Sequence, residues 1–464
     1  MVATAAKPKP GPMIANELPI KTNSWTLGLP LLLMLWLLHA LDAPQRLNFW
    51  IYDTLITTYP MDTSPEVALV AIDEKSLGTL GRWPWPRSLH AQLIEKLDAA
   101  GARTIVFDIL FAESMPDDPA LASAMRAHGR VILPVHLSPP TSGQLLTSHP
   151  PTPLLAQSAA ALGHAHVELD EDGIARGLYL RNGLGGKLWP SLALATADQS
   201  PSANAIPDAA PYTNIRQLYR AVPMAGAAGT INAYSYTDLL SRPAVPEQFR
   251  GKVVFVGATA AGLGDILPTP FSGLGQPISG VEFHANAYSA LDQGQLIGLA
   301  SPGLSLALSA VILAVLSLLL PAMRPPRALA LCLFAGLGLI AAQALLLFAA
   351  QIWLSVAHAL IVALLAIPVS SALRLAMASR FLNRQLEELQ LGPSMPLQGA
   401  PDTHPSQLLA YFQALLKPRG WLLARDGETL QAKGLELTNA PAVTQPGEWI
   451  HRSNESWVLL IRNG

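Results

Sequence analysis

Val67-Ala-Leu-Val-Ala-Ile72-Asp73 and Thr104-Ile-Val-Phe107-Asp108 are two short, unbroken apolar runs, each ending in an aspartate. A run that is apolar at every position reads as a strand covered on both faces, as in a parallel sheet. Between them, Leu89, Leu93, Ile94 and Leu97 recur at helical spacing over residues 87–100, and Gly101 stands next as a stop. After Asp108 a second helix over residues 118–128 closes at Gly129 and leads into Arg130-Val-Ile-Leu-Pro-Val135. The order β-α-β-α-β predicts a largely parallel sheet with right-handed crossovers. Lys252-Val-Val-Phe-Val256 reads as a further buried strand, and residues 280–291 as a last helix.

Outward from this block the composition points to lipid. Charged residues make up 13% of the 464, about half of the ~25% usual in soluble domains. Hydrophobic residues make up 50%, and the mean hydropathy is +0.32. The net charge of −2 argues against a nucleic-acid partner, which would require a basic patch. The single cysteine, Cys332, excludes an intrachain disulfide and a Cys-rich metal site.

Residues 25–41 and 303–323 are uncharged and apolar, and so is a run of 46 residues from 328 to 373. One helix of that length would measure ~69 Å at ~1.5 Å per residue, against a ~30 Å bilayer core. Two helices, 328–350 and 352–373, with a turn near Gln351 are therefore expected, making four spans. Lys7, Lys9 and Lys21 precede the first span, Arg324 and Arg327 lie between the second and third, and Arg374, Arg380 and Arg384 come after the fourth. The positive-inside bias places those segments in the cytoplasm and residues 42–300 outside it. A cleaved signal peptide is the alternative reading of the first span; its apolar run is long for one and no A-x-A site succeeds it.

Several motifs of the 42–300 block occur together and in order: Val70-Ala-Ile-Asp73-Glu-Lys-Ser76, Gly81-Arg-Trp-Pro-Trp-Pro-Arg87, Ile105-Val-Phe-Asp108-Ile-Leu-Phe-Ala-Glu113, Gly251-Lys-Val-Val-Phe-Val-Gly257-Ala-Thr, Gly262-Leu-Gly-Asp265 and Gly280-Val-Glu-Phe-His284-Ala-Asn286. They resemble the CHASE2 extracytoplasmic sensory domain, over about residues 45 to 297 and on into the three spans that usually succeed it. The resemblance implies a bacterial inner-membrane receptor that passes a signal inward. Such receptors usually continue into a histidine kinase of a two-component system, a nucleotide or diguanylate cyclase, or a Ser/Thr kinase.

Asp73 and Asp108 stand at the carboxyl ends of successive strands, outside which open α/β sheets bind ligands. Glu113, Asp117, Asp118 and Asp265 lie on loops that reach the same edge. Such carboxylates suit a cation or a cationic ligand held through oxygens. Paired carboxylates also suit acid–base chemistry, but no nucleophile–base motif accompanies them. The structural alternative is capping of the next helices, which fits Asp117-Asp118 well. Trp83, Trp85 and Arg87 have the same two readings, a ligand platform or rigid packing ahead of a helix, with Pro86 restricting the residue before it. His164 and His166 alternate along an expected strand with no third metal ligand nearby, and His358 lies inside the fourth span. No metal and no cofactor are expected.

Beyond the last span, Leu382, Leu386 and Leu389 continue a helix over residues 375–391, interrupted at Gly392-Pro393. A linker to about Pro405, a helix over 406–416 and short strand-like runs near 420–424, 429–432 and 456–461 suggest a small α+β module or the start of a larger one, in the manner of a PAS or GAF fragment. No ATP loop, phospho-acceptor box or cyclase motif is visible, so enzymatic activity is not expected. The first expectation is a non-catalytic receptor, a homodimer that responds to a small molecule, ion or protein outside and signals to a cytoplasmic partner. The alternatives are the sensor part of a kinase or cyclase, and a structural envelope protein that uses the domain for partner contact.

Overall fold

The computed structural model describes residues 24–41, 44–138, 147–184, 187–198, 204–205, 214–243, 247–263, 266–274 and 276–391, and four strands within 420–462. The expected N-terminal segment, Asp265, the 392–405 linker and the 406–416 helix lie outside the described residues. The chain divides into two compact units, Met1–Arg374 and Leu375–Gly464.

The first unit opens with α1 (Ser24–Ala40), α2 (Gln45–Thr58), β1 (Val67–Ile72), α3 (Glu74–Leu80), α4 (Arg87–Ala99), β2 (Thr104–Asp108), α5 (Asp118–His128), β3 (Val131–Ser138), β4 (Thr147–His149), α6 (Pro153–Ser158) and β5 (Ala161–His164). It continues with β6 (Gly177–Leu184), β7 (Lys187–Pro190), α7 (Leu192–Asp198), β8 (Asn204–Ala205), β9 (Asn214–Ala221), β10 (Ala233–Ser235), α8 (Tyr236–Ser241), β11 (Val253–Ala258), β12 (Ile266–Leu267), β13 (Ile278–Ser279) and α9 (Gly280–Asp292). Then come β14 (Ile297–Leu299), α10 (Pro302–Leu319), α11 (Pro325–Ala350), β15 (Ile352–Trp353) and α12 (Ala357–Leu391).

The main sheet runs β10-β1-β11-β2-β3, all parallel, with β5 parallel on β3 and β4 antiparallel to the end of β3. All six residues of β1 are buried, as the unbroken apolar run requires, because both faces are covered. Alternate residues feed two cores. Val70, Ile72 and Phe107 pack with Leu93 and Leu97 of α4, while Leu69, Val106 and Phe255 pack with Phe283 of α9. Helix α9 is buried from Val281 through Ala290, so it is an interior helix. It packs so closely on β11 that a Cβ at Gly257 would stand 2.6 Å from Val281 Cβ, which is why glycine occupies that end of the strand.

A second sheet, β15-β14-β9-β6-β7-β8, is antiparallel except for the β14–β15 pair. Sequence reading anticipates only the parallel sheet; β6 and β9 carry polar residues such as Arg181, Asn182, Arg216 and Gln217 among their apolar ones, so no clean run marks them. His164 ends β5 and His166 lies beyond it, so the two do not alternate along one strand.

Among the described residues three helices are long and apolar enough to cross a membrane: Pro302–Ala322, Pro325–Ala350 and Ala357–Asn383. The apolar α1 has 17 residues, and the chain bends by 76° between it and α2. The turn between α11 and α12 is made by Gln351, in the left-handed conformation at φ 50°, and by β15 after it. That turn is not a free loop. The Gly298 amide donates to Gln351 O at 2.8 Å and the Ala300 amide to Trp353 O at 2.9 Å. Leu354 N donates to Gln343 Oε1 at 3.2 Å, Ala357 N donates to Asn48 Oδ1 of α2 at 3.2 Å, and Tyr52 meets Trp353 edge to face at 5.0 Å.

In the second unit the described residues are the end of α12, from Leu375 to Leu391, and one antiparallel sheet in the order Glu428–Lys433, Gly420–Arg425, Trp457–Arg462, Glu448–Arg452.

Candidate functional site

The parallel strands end at a crevice of about 400 Å3, lined by Trp83, Arg87, Asp108, His136, His166 and His284 among others. Asp108 comes from the end of β2, His136 from β3, His166 from the loop after β5, and His284 from the first turns of α9. This is the edge where an open α/β sheet binds ligands.

Of the candidate residues, Trp83, Arg87 and Asp108 meet there. Arg87 is 3% exposed, and its Nε donates to Asp118 Oδ1 at 3.3 Å, its Nη2 to Glu113 O at 3.1 Å. The guanidinium also stacks 4.5 Å over Phe111. Removing one partner from such a buried pair typically costs about 3–5 kcal/mol, so Arg87 holds the crevice wall in place. Trp85 is turned into the core: it is 1% exposed, donates to Gly81 O at 3.0 Å and packs edge to face on Trp83 at 5.1 Å. Glu113 offers its carbonyl to Arg87 and its side chain is exposed.

Asp73 serves as the N-cap of α3. Its Oδ1 accepts from Ser76 N at 2.8 Å, Ser76 Oγ at 2.5 Å and Ser235 Oγ at 3.0 Å. Burial would raise its pKa, but the hydrogen bonds from Ser76 and Ser235 outweigh it and hold the carboxyl below its ordinary value. The geometry thus takes the capping alternative for Asp73. Asp117 caps a helix other than the expected one. It precedes α5 but makes no side-chain bond to it; instead its Oδ2 accepts from Ser88 N at 2.8 Å in the first turn of α4.

Sequence does not single out the crevice histidines as a group, because 136, 166 and 284 are far apart in the chain. His284 is buried and its Nε2 donates to Ala165 O at 3.2 Å, leaving Nδ1 with no hydrogen-bond partner among the described residues. Burial pushes the neighbouring His166 below the ordinary histidine value. His164 belongs to the core: it is fully buried, bonded to Tyr179 O at 3.0 Å, and burial pushes it to about 3. Among the described residues no three His, Cys, Asp or Glu side chains are placed to hold a metal ion. A crevice of this size and polarity suits a small polar molecule held by hydrogen bonds and flanked by the Trp83 indole.

The CHASE2 domain family matches residues 29–321. The chain belongs to the CHASE2 domain family. No curated protein and no solved structure matches the chain. The matched segment takes in the parallel sheet, the crevice, α1 from Leu29 onward and α10. CHASE2 is a sensory domain of signalling proteins, and the apolar helices beside it here fit a membrane receptor.

One further residue, absent from the candidates, holds helix α2 against the start of β6 within the CHASE2 domain. Arg176 is 4% exposed and makes a double bond pattern to Asp53 of α2, Nε to Oδ1 and Nη2 to Oδ2, both at 2.8 Å. It also pairs with Asp170 at 2.9 Å and Asp172 at 2.7 Å, and lies 4.1 Å over Phe49. Asp170-Glu-Asp172 and Arg176 are visible as charges in sequence, but Asp53 lies 123 positions away, so only the fold brings them together.

Proposed function

We propose that the chain is a bacterial inner-membrane receptor whose CHASE2 domain, residues 42–300, faces outward and passes a signal to the cytoplasm through four spans. Both termini lie in the cytoplasm, as the flanking lysines and arginines favour. The observation that carries the reading is the β14–β15 pair. The turn between α11 and α12 is hydrogen-bonded into the sheet of the sensory domain, so a shift of that sheet moves two apolar helices with it. A signal of this kind requires a ligand that binds two states of the domain differently. The chain acts as a homodimer and hands its signal to a cytoplasmic partner; it carries no catalytic output of its own.

The full chain in nanodiscs, screened by thermal shift against extracytoplasmic metabolites, ions and peptides, tests the sensory role. A ligand at ~100 times its dissociation constant stabilises by about 2.7 kcal/mol. The expected result is a hit that is lost in Asp108→Ala, which places the signal at the strand-end crevice. A hit unaffected by that change removes the crevice from the mechanism.

A further inference from the structure

A second and larger cavity, of about 710 Å3, lies at the base of the first unit, between the antiparallel sheet and the helices that flank it. That volume falls in the range that encloses a drug-sized ligand. Its walls include Phe49, Tyr52, Tyr179, Tyr219 and Trp353. Asp170 and Arg176 come to it from the CHASE2 domain, and His39, Leu306 and His358 from α1, α10 and α12. It is thus charged on the domain side, aromatic in the middle, and mixed where the helices enter, with Leu306 beside His39, Ser305 and His358.

Two independent observations point to an occupant. The first is charge. Arg176 is surrounded by the carboxylates of Asp53, Asp170 and Asp172 at 2.7 to 2.9 Å, three acids for one guanidinium, so the cluster attracts a further cation. The second is Tyr52. Its side chain lines the cavity and is 4% exposed, and its hydroxyl has no hydrogen-bond partner among the described residues. A buried hydroxyl is normally paired, and leaving it unpaired is costly.

We propose that this cavity binds an amphipathic cation. An ammonium head sits against Asp170 and the Tyr52 hydroxyl with the tyrosine rings around it, where cation–π attraction adds to the charge. The apolar body extends along Leu306 toward the membrane helices. A free alkylamine and an ammonium-headed lipid present this same chemistry. The proposal concerns binding alone and stands apart from the receptor reading: binding without any effect on the helices would count against that reading and leave the site in place.

The test uses the full chain in maltoside micelles, with decylammonium as the probe and decyl sulfate and decanol as controls, read by calorimetry. Saturable binding of decylammonium, and not of the controls, is expected. Tyr52→Phe, which keeps the ring, should weaken it about tenfold, as the loss of one buried hydrogen bond would. Asp170→Asn and the cavity-filling Leu306→Trp should weaken it at least as much. Native mass spectrometry then separates the sources: retained phosphatidylethanolamine that competes with decylammonium identifies a lipid, and decylammonium binding without such competition a free amine. No binding of decylammonium, equal binding of decyl sulfate, or decylammonium binding unchanged in both Tyr52→Phe and Leu306→Trp would overturn the proposal.

Discussion

Asp73 shows how one residue type in one place supports two roles that differ in their consequences. Its carboxylate is used up by Ser76 and Ser235, so replacing it should act on stability and not on ligand affinity. Asp73→Ala is expected to destabilise by about 1 kcal/mol, the usual worth of an N-cap, as a lower melting temperature of the full chain, with the affinity for any crevice ligand unchanged. The buried histidines make a second residue-scale prediction. Burial pushes both His90, which is bonded to Tyr236, and His164 down to about 3. A folded-state pKa below the unfolded value near 6.5 means that the unfolded chain takes up the protons first. Stability should therefore be fully present above about pH 6.5 and fall as the pH drops toward 3. Between about pH 7.5 and 5.5, above the carboxylate range, the loss should be about 1.4 kcal/mol per histidine, and a urea titration of His164→Asn should show a shallower loss than the wild type.

The parallel strands and their helices are legible from sequence because they are covered on both faces. Residues 118–128 and 104–108 are helix and strand with the expected ends, and Gly129 closes α5 in the left-handed conformation. The turn at Gln351 is legible from length alone. Strand β15, immediately after that turn, is not legible, since its two residues, Ile352 and Trp353, carry no strand signal until β14 lies beside them. The crevice shows the same division. Trp83, Arg87 and Asp108 are marked by motif and strand end, while its histidines are gathered only by tertiary packing. The β14–β15 pair yields a prediction at this scale. Gly298→Pro removes the amide that donates to Gln351 O, whereas Gly298→Ala keeps it and meets nothing closer than 3.8 Å. Hydrogen exchange at residues 351–354 should accelerate in the proline variant and remain at the wild-type rate in the alanine variant.

For the molecule as a whole, two ties to the antiparallel sheet work on different parts of the chain. The Arg176–Asp53 pair fastens the antiparallel sheet to α2, and the β14–β15 pair fastens it to the turn between α11 and α12. The second tie is useful to a receptor only if the domain and that turn lie on the same, outer side of the membrane. Thiol labelling tests this directly, because Cys332 is the single native cysteine and Cys332→Ser gives a clean background. Glu95→Cys on α4 and Arg380→Cys, past the uncharged run that ends at Leu373, are both exposed positions. In intact spheroplasts a membrane-impermeant maleimide should label Glu95→Cys at once and Arg380→Cys only after lysis. Labelling of Arg380→Cys from outside, or protection of Glu95→Cys until lysis, would contradict an outward-facing CHASE2 sensor.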